Sequence, residues 1–563
     1  MAAEPAGRDF DDLVDEANAA PLPKKLAMWT RMSGPGWLQG AITLGGGSLA
    51  GSLYLGVILG YELMWLQPLA MLLGVIMLSA ISYVTLSTGE RPFDLIRTHV
   101  SPVLAWSWLF ATMLANIVWC LPQFALGTAA LTQNLIPGLD TGTGRMVAAG
   151  GLLVASLIVV WFYNSGSRGI QIFEWVLKGL VALVVLSFFG VVGAMTAAGL
   201  LPWGEIFAGM IPNPNSLFEP AQSLRGDIAL TGEHADWWSA RIAGMQKDNI
   251  ITGFATAVGI NMTFLLPYSM LRKGWGKRHR GLGLFDLAIG LIVPFVLAIS
   301  CVVIAASSQF HGQPDDVLAM VETGKGKEVG SYYGHVDDRL REELGSAYEA
   351  IAADETARDA ARAALPESDR RLAAMIAERD NLALAKTLEP LVGPTISQTV
   401  FGLGVLGMAL STIIILMVIN GFAFCEMIGA DSAGPMFRLG ALIPAIGVLG
   451  PFYWAQAAPA LATPTSVFCG AMLPIAYFTF LLLMNSRRAL GTAMPRGSTR
   501  LVWNTLMIGA TAVAAFGSAW GMLNKTLYGF PIGMVGIAIL VTLLLGGAIA
   551  FVVRNGRSQP SEG

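Results

Sequence analysis

The sequence predicts an all-α polytopic membrane protein with about twelve transmembrane helices. Three observations carry that expectation. The 563-residue chain is 54% hydrophobic and 13% charged, with a mean hydropathy of +0.60, whereas a soluble domain carries about 25% charged residues. Twelve stretches are apolar over the roughly 20 residues that a helix needs to cross a bilayer. Apart from two long polar segments, 200–249 and 309–393, Lys and Arg residues fall almost wholly on alternate loops between those stretches.

Residues 1–33 form a polar, acidic tail without the basic start and short apolar region of a signal peptide. They are expected to be cytosolic, with a short surface helix. Spans follow at about 34–59, 62–86, 103–133, 145–164, 171–199, 250–271 and 283–308. The second block runs 394–553, with spans near 394–424, 436–456, 464–485, 501–523 and 530–553. With the N-terminus inside, Lys24, Lys25, Arg31, Arg91, Arg97, Arg168 and the cluster RKGWGKRHRG (272–281) all face the cytosol. Arg438, Arg487, Arg488, Arg496, Arg500, Arg554 and Arg557 follow suit, while the short outer loops hold Arg145 and Lys525. Both termini, including the tail 554–563, are thus expected in the cytosol, with the chain in a bacterial inner (plasma) membrane. The basic cluster sits between two spans and reads as an orientation signal, not a nucleic-acid patch.

Two polar segments fall on the outside. Residues 200–249 contain several Pro and Trp residues and read as a partly ordered loop within the first block, 34–308. Residues 309–393 are rich in alanine and charge, with apolar residues at three- and four-residue spacing. Pro366 is expected to separate a pair of helices in this extracytoplasmic insertion. A solvated cap, a gating element and a docking surface for a protein partner are all compatible with it.

Little in the chain suggests an enzyme. Cys120, Cys301, Cys425 and Cys469 lie in apolar runs and read as core packing. The five histidines sit in loops or at helix ends without ligand spacing, and no metal-ligand cluster, cofactor motif or catalytic signature is found. GEHADWW (232–238), with Glu233, His234 and Asp236, reads as surface decoration in preference to a weak cation site, since it offers no further ligands. Glu174 and Lys178 are spaced for an ion pair at the cytosolic end of span five.

Interrupted helices remain. Span one carries LGGGSLAGS (44–52), and glycine costs a helix interior about 1 kcal/mol relative to alanine. Span six carries GINMTFLLPYSML (259–271), where Pro267 removes a backbone hydrogen bond. Backbone freed within a bilayer must line a cavity or find new partners. Breaks at matching positions of two halves point to a secondary-transporter site. Spans one to five and six to ten then form inverted repeats. Close helix packing through small residues is the competing explanation for the glycines.

Several stretches together carry a family resemblance over about residues 33–485: SGPGWL (33–38), LGYELMW (59–65), TGERPFDLIR (88–97), SRGIQIFE (167–174), LLPYSMLRKG (265–274), FHG (310–312) and LEPLVGP (388–394). In order and spacing they resemble the Nramp (natural resistance-associated macrophage protein) superfamily of divalent-metal transporters. The resemblance implies a LeuT-type five-plus-five inverted repeat, here with two extra C-terminal helices. It also implies a metal site, whose ligands this chain lacks. The family's Asp-Pro-Gly-Asn in span one falls on Gly45, Gly46, Gly47 and Ser48. Its Met-Pro-His in span six falls on Asn261, Met262 and Thr263, with Met262 next to the position of the family's sulfur ligand. The glutamine of its span ten falls on Ser466, and Asn116 and Gln123 are the polar residues where span three elsewhere carries acids.

These ten residues are the candidate site and its polar pathway. A site without anionic ligands holds a bare divalent ion poorly, because desolvation costs several kcal/mol or more. A Nramp-like carrier of a divalent metal ion such as Mn²⁺ or Mg²⁺ is the leading expectation. A carrier of an amino acid or other small solute is the alternative, since a glycine-rich half-helix N-terminus suits a carboxylate. A non-transporting receptor or assembly protein, using the segment 309–393, is the third.

Overall fold

The computed structural model describes residues 10–163, 165, 167–324, 326, 328–379, 383, 385, 389, 393–453, 462–523, 525–526 and 529–556. Most of the stretch 388–394, some of the insertion and the ends of both tails lie outside them. Among the described residues eleven helices are long and apolar enough to cross a membrane, and a bent pair makes the twelfth span.

Span one is that pair, bent by 49°: Pro35–Thr43 on the side of Phe10–Ala19, named the inner half, and Gly46–Leu59 on the side of the insertion, named the outer half. Span two is Leu66–Thr88, and span three runs Pro102–Ala129 into a wider turn, Ala130–Leu135. Spans four and five are Gly142–Tyr163 and Ser167–Ala197. Span six is again two helices, Ala235–Ala257 and Ile260–Arg272. Span seven ends with Val293–Phe310, and span eight is Pro394–Ile428. Span nine starts with Pro435–Leu442; Ala462–Met484, Gly497–Met522 and Ile532–Gly556 complete the set. The helix of span six begins fifteen residues before the expected 250, because its outer half projects past the apolar window with Trp238, Arg241 and Gln246 on it.

Span eight forms the centre with span three. Ile413 to Ile419 are wholly buried, and Asn116 Nδ2 donates to Asn420 Oδ1 at 3.2 Å across the seam. Spans eleven and twelve lie outside. Leu501, Ile508, Phe516, Ile539, Leu545 and Ile549 are each more than half exposed. An apolar surface of that kind belongs against lipid. The protein is therefore an integral membrane protein.

Small residues let the inner half of span one approach span seven. A Cβ on Gly36 would stand 2.1 Å from the Asp286 carbonyl oxygen, and one on Gly40 would stand 2.1 Å from that of Gly290. At this contact the Asp286 carboxylate accepts from the Gly34 N–H at 2.9 Å and the Gly36 N–H at 2.6 Å. Asp286 thus caps the start of the half helix, where free N–H groups and the helix dipole favour negative charge. The expected Glu174–Lys178 pair is replaced. Glu174 pairs with Lys273 at 2.9 Å, and Lys178 Nζ donates to the Ser33 carbonyl at 3.0 Å. The inner end of span one supplies a better partner for Lys178 than its own helix face.

Both ends of the bundle are covered. At the face bearing Phe10 and Arg554, the helix Phe10–Ala19 docks on the connection between spans six and seven. Asp15 pairs with Arg278 at 2.8 Å, while Val14 and Ala17 are wholly buried. Arg554 donates to the Thr98 carbonyl on the same face. At the opposite face the described residues of the insertion include five helices where two were expected: Asp315–Thr323, Glu328–Leu344, Ala347–Ala352, Glu355–Ala364 and Glu367–Met375. Pro366 separates the last pair as expected. Arg379 is fully buried and forks onto Asp316 at 2.9 and 3.0 Å. Burial, and then the Arg241 guanidinium, push the His335 imidazole down to about 3, so it stays neutral.

Candidate functional site

The two helix breaks meet in the middle of the bundle. In span one Leu44 and Gly45 leave the helical region, at φ/ψ −77/57 and −111/176. In span six Val258 and Gly259 are extended, at −142/101 and −80/165. Pro267 does not mark the break: it lies inside the continuous helix Ile260–Arg272, where packing on all sides buries every residue from Ile260 to Met270.

Backbone groups freed at the breaks need partners. The Gly46 N–H donates to Gln123 Oε1 at 2.9 Å. The Ser48 hydroxyl donates back to the Thr43 carbonyl at 2.6 Å, closing the gap between the two halves of span one. The Ser411 hydroxyl of span eight donates to the Ala41 carbonyl at 2.8 Å. The Thr43 hydroxyl lies 3.3 Å from the Ala257 carbonyl and 3.2 Å from the Met262 Sδ, tying one break to the other.

Between the breaks lies a cavity of about 30 Å³. A void of that size admits one or two water-sized occupants. Span one lines it with Ile42, Gly45, Gly47 and Ser48, and span six with Ala255, Thr256, Gly259, Asn261 and Met262. Span three contributes Trp119 and Gln123, and span eight Thr412 and Leu416. The polar atoms are hydroxyls, amides, a thioether and main-chain groups. None of these lining side chains carries a charge.

Of the ten residues selected from sequence, Gly45, Gly47, Ser48, Asn261, Met262 and Gln123 therefore come together. Gly46 lies in the first turn of the outer half helix and gives its N–H to Gln123. The other three are placed elsewhere. Thr263 points its hydroxyl to Trp108, whose Nε1 donates to it at 2.9 Å. Asn116 is taken by Asn420. Ser466 is fully buried but does not line the cavity. Trp119 and Thr412 were not selected, yet both were within reach. Trp119 lies one turn before Gln123 on the same helix face. Ser411 and Thr412 are adjacent hydroxyls in an apolar run. Trp119 packs so close that a Cβ on Gly47 would stand 2.3 Å from its ring. Among the described residues no three His, Cys, Asp or Glu side chains gather in a metal-binding group.

Comparison with known proteins fits this geometry. The model of the family described as natural resistance-associated macrophage protein-like matches residues 36–325 and 373–522. Metal transporter Nramp2 of Oryza sativa subsp. japonica is 26% identical over 169 residues, 29% of this chain and 30% of that protein. Natural resistance-associated macrophage protein 1 of Sus scrofa is 25% identical over 198 residues, 35% of this chain and 36% of its own length. The matched stretch thus spans about a third of these curated relatives. A manganese transporter of Eremococcus coleocola, crystallised with an aromatic bis-isothiourea substituted compound, superposes with a TM-score of 0.62. That match covers 94% of this chain and 96% of that one at 15% identity, and it shows the LeuT-type fold. With a family match over most of its length and the same fold, this chain belongs to the Nramp family.

Proposed function

We propose that this protein is a secondary transporter carrying a divalent metal cation by alternating access through the cavity between its two helix breaks. One observation carries the reading: the cavity joins both broken spans and presents Met262 beside hydroxyl and amide groups. A divalent ion bound there takes neutral oxygen ligands and one thioether. Such a mixed set favours Mn²⁺ over the harder Mg²⁺ and Ca²⁺. A ligand set without a carboxylate also implies weak binding, which suits a carrier that must release its cargo. No titratable side chain lines the cavity, so binding itself takes up or releases no proton.

The positive residues near both termini support a cytosolic placement of that face, with the insertion outside, in a bacterial inner membrane. A small organic solute fits less well. The Gly46 N–H that would greet a carboxylate already donates to Gln123. The cavity of about 30 Å³ is also far below the roughly 300 Å³ of ordinary small-molecule pockets.

Purified protein in liposomes should pass Mn²⁺ down its gradient. Gly47→Val, which drives a side chain into Trp119 and the cavity, should stop it. Absence of flux for every divalent ion tested refutes the reading, as does full flux through Gly47→Val.

A further inference from the structure

The inserted helices do more than cover the bundle: we infer that they are a lid that locks the outer halves of both broken spans together. This rests on the alternating-access reading above. The family match leaves out residues 326–372, which hold Asp338, Arg339 and Asp369, so the grip on span six is an addition to the shared fold, while Ile376 and His311 fall within the match.

The contacts fall on the two elements that must move apart for the cavity to open outward. On span six, Trp238 is wholly buried, and its Nε1 donates to Asp369 Oδ1 of the insertion at 2.7 Å. The same carboxylate oxygen accepts from Arg339 Nε at 3.1 Å, and Arg339 is also wholly buried. Arg241, one turn along from Trp238, pairs with Asp338. On span one, the Tyr54 hydroxyl donates to the Ile376 carbonyl at 3.1 Å. At the start of the insertion, His311 completes the clasp. Its Nδ1–H donates to the Val57 carbonyl at 2.9 Å, and its Nε2 lies 2.6 Å from the Ser223 hydroxyl.

Mechanical continuity makes these contacts matter at the site. Trp238 and Thr256 belong to one unbroken helix, Ala235–Ala257, about 27 Å apart at the helical rise. Thr256 lines the cavity. A rigid helix held at its far end by a buried, charge-assisted hydrogen bond cannot swing its near end without breaking that bond. Arg339 adds stiffness: wholly buried, it pairs with Asp369 at 3.1 Å and Glu343 at 3.0 Å, so moving Asp369 away leaves a buried guanidinium short of one of its two carboxylates.

The test labels Thr256→Cys with a membrane-impermeant maleimide applied from the insertion side. The four native cysteines are buried free thiols and give a low background. Trp238→Phe removes the N–H together with part of the buried indole, whereas Asp369→Asn leaves the Trp238 ring in place and removes the charge that its N–H faces, so acceleration in Trp238→Phe alone would report lost packing and count against the lid. The lid reading expects labelling about tenfold faster in Trp238→Phe and in Asp369→Asn, the size of a lost hydrogen bond to a charged group, with Tyr54→Phe acting in the same direction. Cys120, buried in span three, should stay unreactive. Equal labelling rates with and without Trp238→Phe overturn the proposal. So does acceleration in which Cys120 reacts in parallel, because that reports unfolding. Labelling reads the opening without any cargo, so absent divalent flux would sink the transport reading and leave this result standing.

Discussion

Asp286→Ala is expected to destabilise the protein by about 3–5 kcal/mol, the usual cost of removing one partner from a buried charged contact. The reason lies in what the carboxylate holds. Asp286 is wholly buried and takes the N–H groups of Gly34 and Gly36. Alanine leaves two buried donors without a partner, at about 1–3 kcal/mol each. It also removes the negative charge that faces the start of the half helix. Rearrangement offers little relief, because Gly36 and Gly40 already touch the backbone of span seven. Asp286→Asn should lose roughly half as much, since an amide has one oxygen for the two donors. Denaturation in detergent micelles, followed for the three proteins side by side, gives the ranking. A cost below about 1 kcal/mol for Asp286→Ala would mean that the half helix is anchored by something else.

Asn261→Asp should tighten Mn²⁺ binding at least tenfold. Asparagine and aspartate have nearly the same shape, so the substitution adds charge without adding bulk. Asn261 lines the cavity, and its Oδ1 accepts from the Met262 N–H at 3.0 Å. A unit charge about 4 Å from a divalent ion gains several kcal/mol even at an effective dielectric constant near 20. Some of that is returned as the desolvation cost of a buried carboxylate. A remainder of about 1.4 kcal/mol is enough for a factor of ten in Kd. Turnover should fall as affinity rises, because a tightly held ion leaves slowly. Gly45→Asp puts a carboxylate directly at the span-one break. The structure argues against it as a clean test, since a Cβ at Gly45 would stand 2.4 Å from the Thr412 Oγ1. Isothermal titration with Mn²⁺ separates the cases. An unchanged Kd in Asn261→Asp would place the cargo away from Asn261.

Much of the fold was legible because bilayer physics simplifies the reading. A helix that must be apolar over its whole crossing announces itself, and among the described residues eleven such helices and one bent pair account for the expected number of spans. The break in span one was also legible, since three consecutive glycines in an apolar run have few other uses. The break in span six lies away from its loudest sequence signal. That signal is Pro267, but a helix packed on every side tolerates it, while Val258 and Gly259 carry the extended backbone. Thr263 lies outside the cavity lining for a related reason. Helical periodicity turns it away from the cavity, toward Trp108, whereas Asn261 and Met262 face inward.

What stayed hidden is tertiary. No local pattern says that Thr412 of span eight meets Gly45 of span one, or that Asp286 reaches back to Gly34. The insertion shows the same limit. Its composition announced helices, and Pro366 one boundary between them. Its grip on Trp238 and Tyr54 depends on which loop folds over which helix, and composition is silent on that.

The central claim is that a divalent cation sits between the two breaks, against Met262 and Asn261. Anomalous diffraction from crystals of the protein grown with Mn²⁺ tests it most directly. One anomalous peak within the cavity, in contact with the Met262 sulfur and the Gly45 break, is the predicted result. A protein that still carries Mn²⁺ in liposomes but shows its peak elsewhere, with this cavity empty, would contradict it.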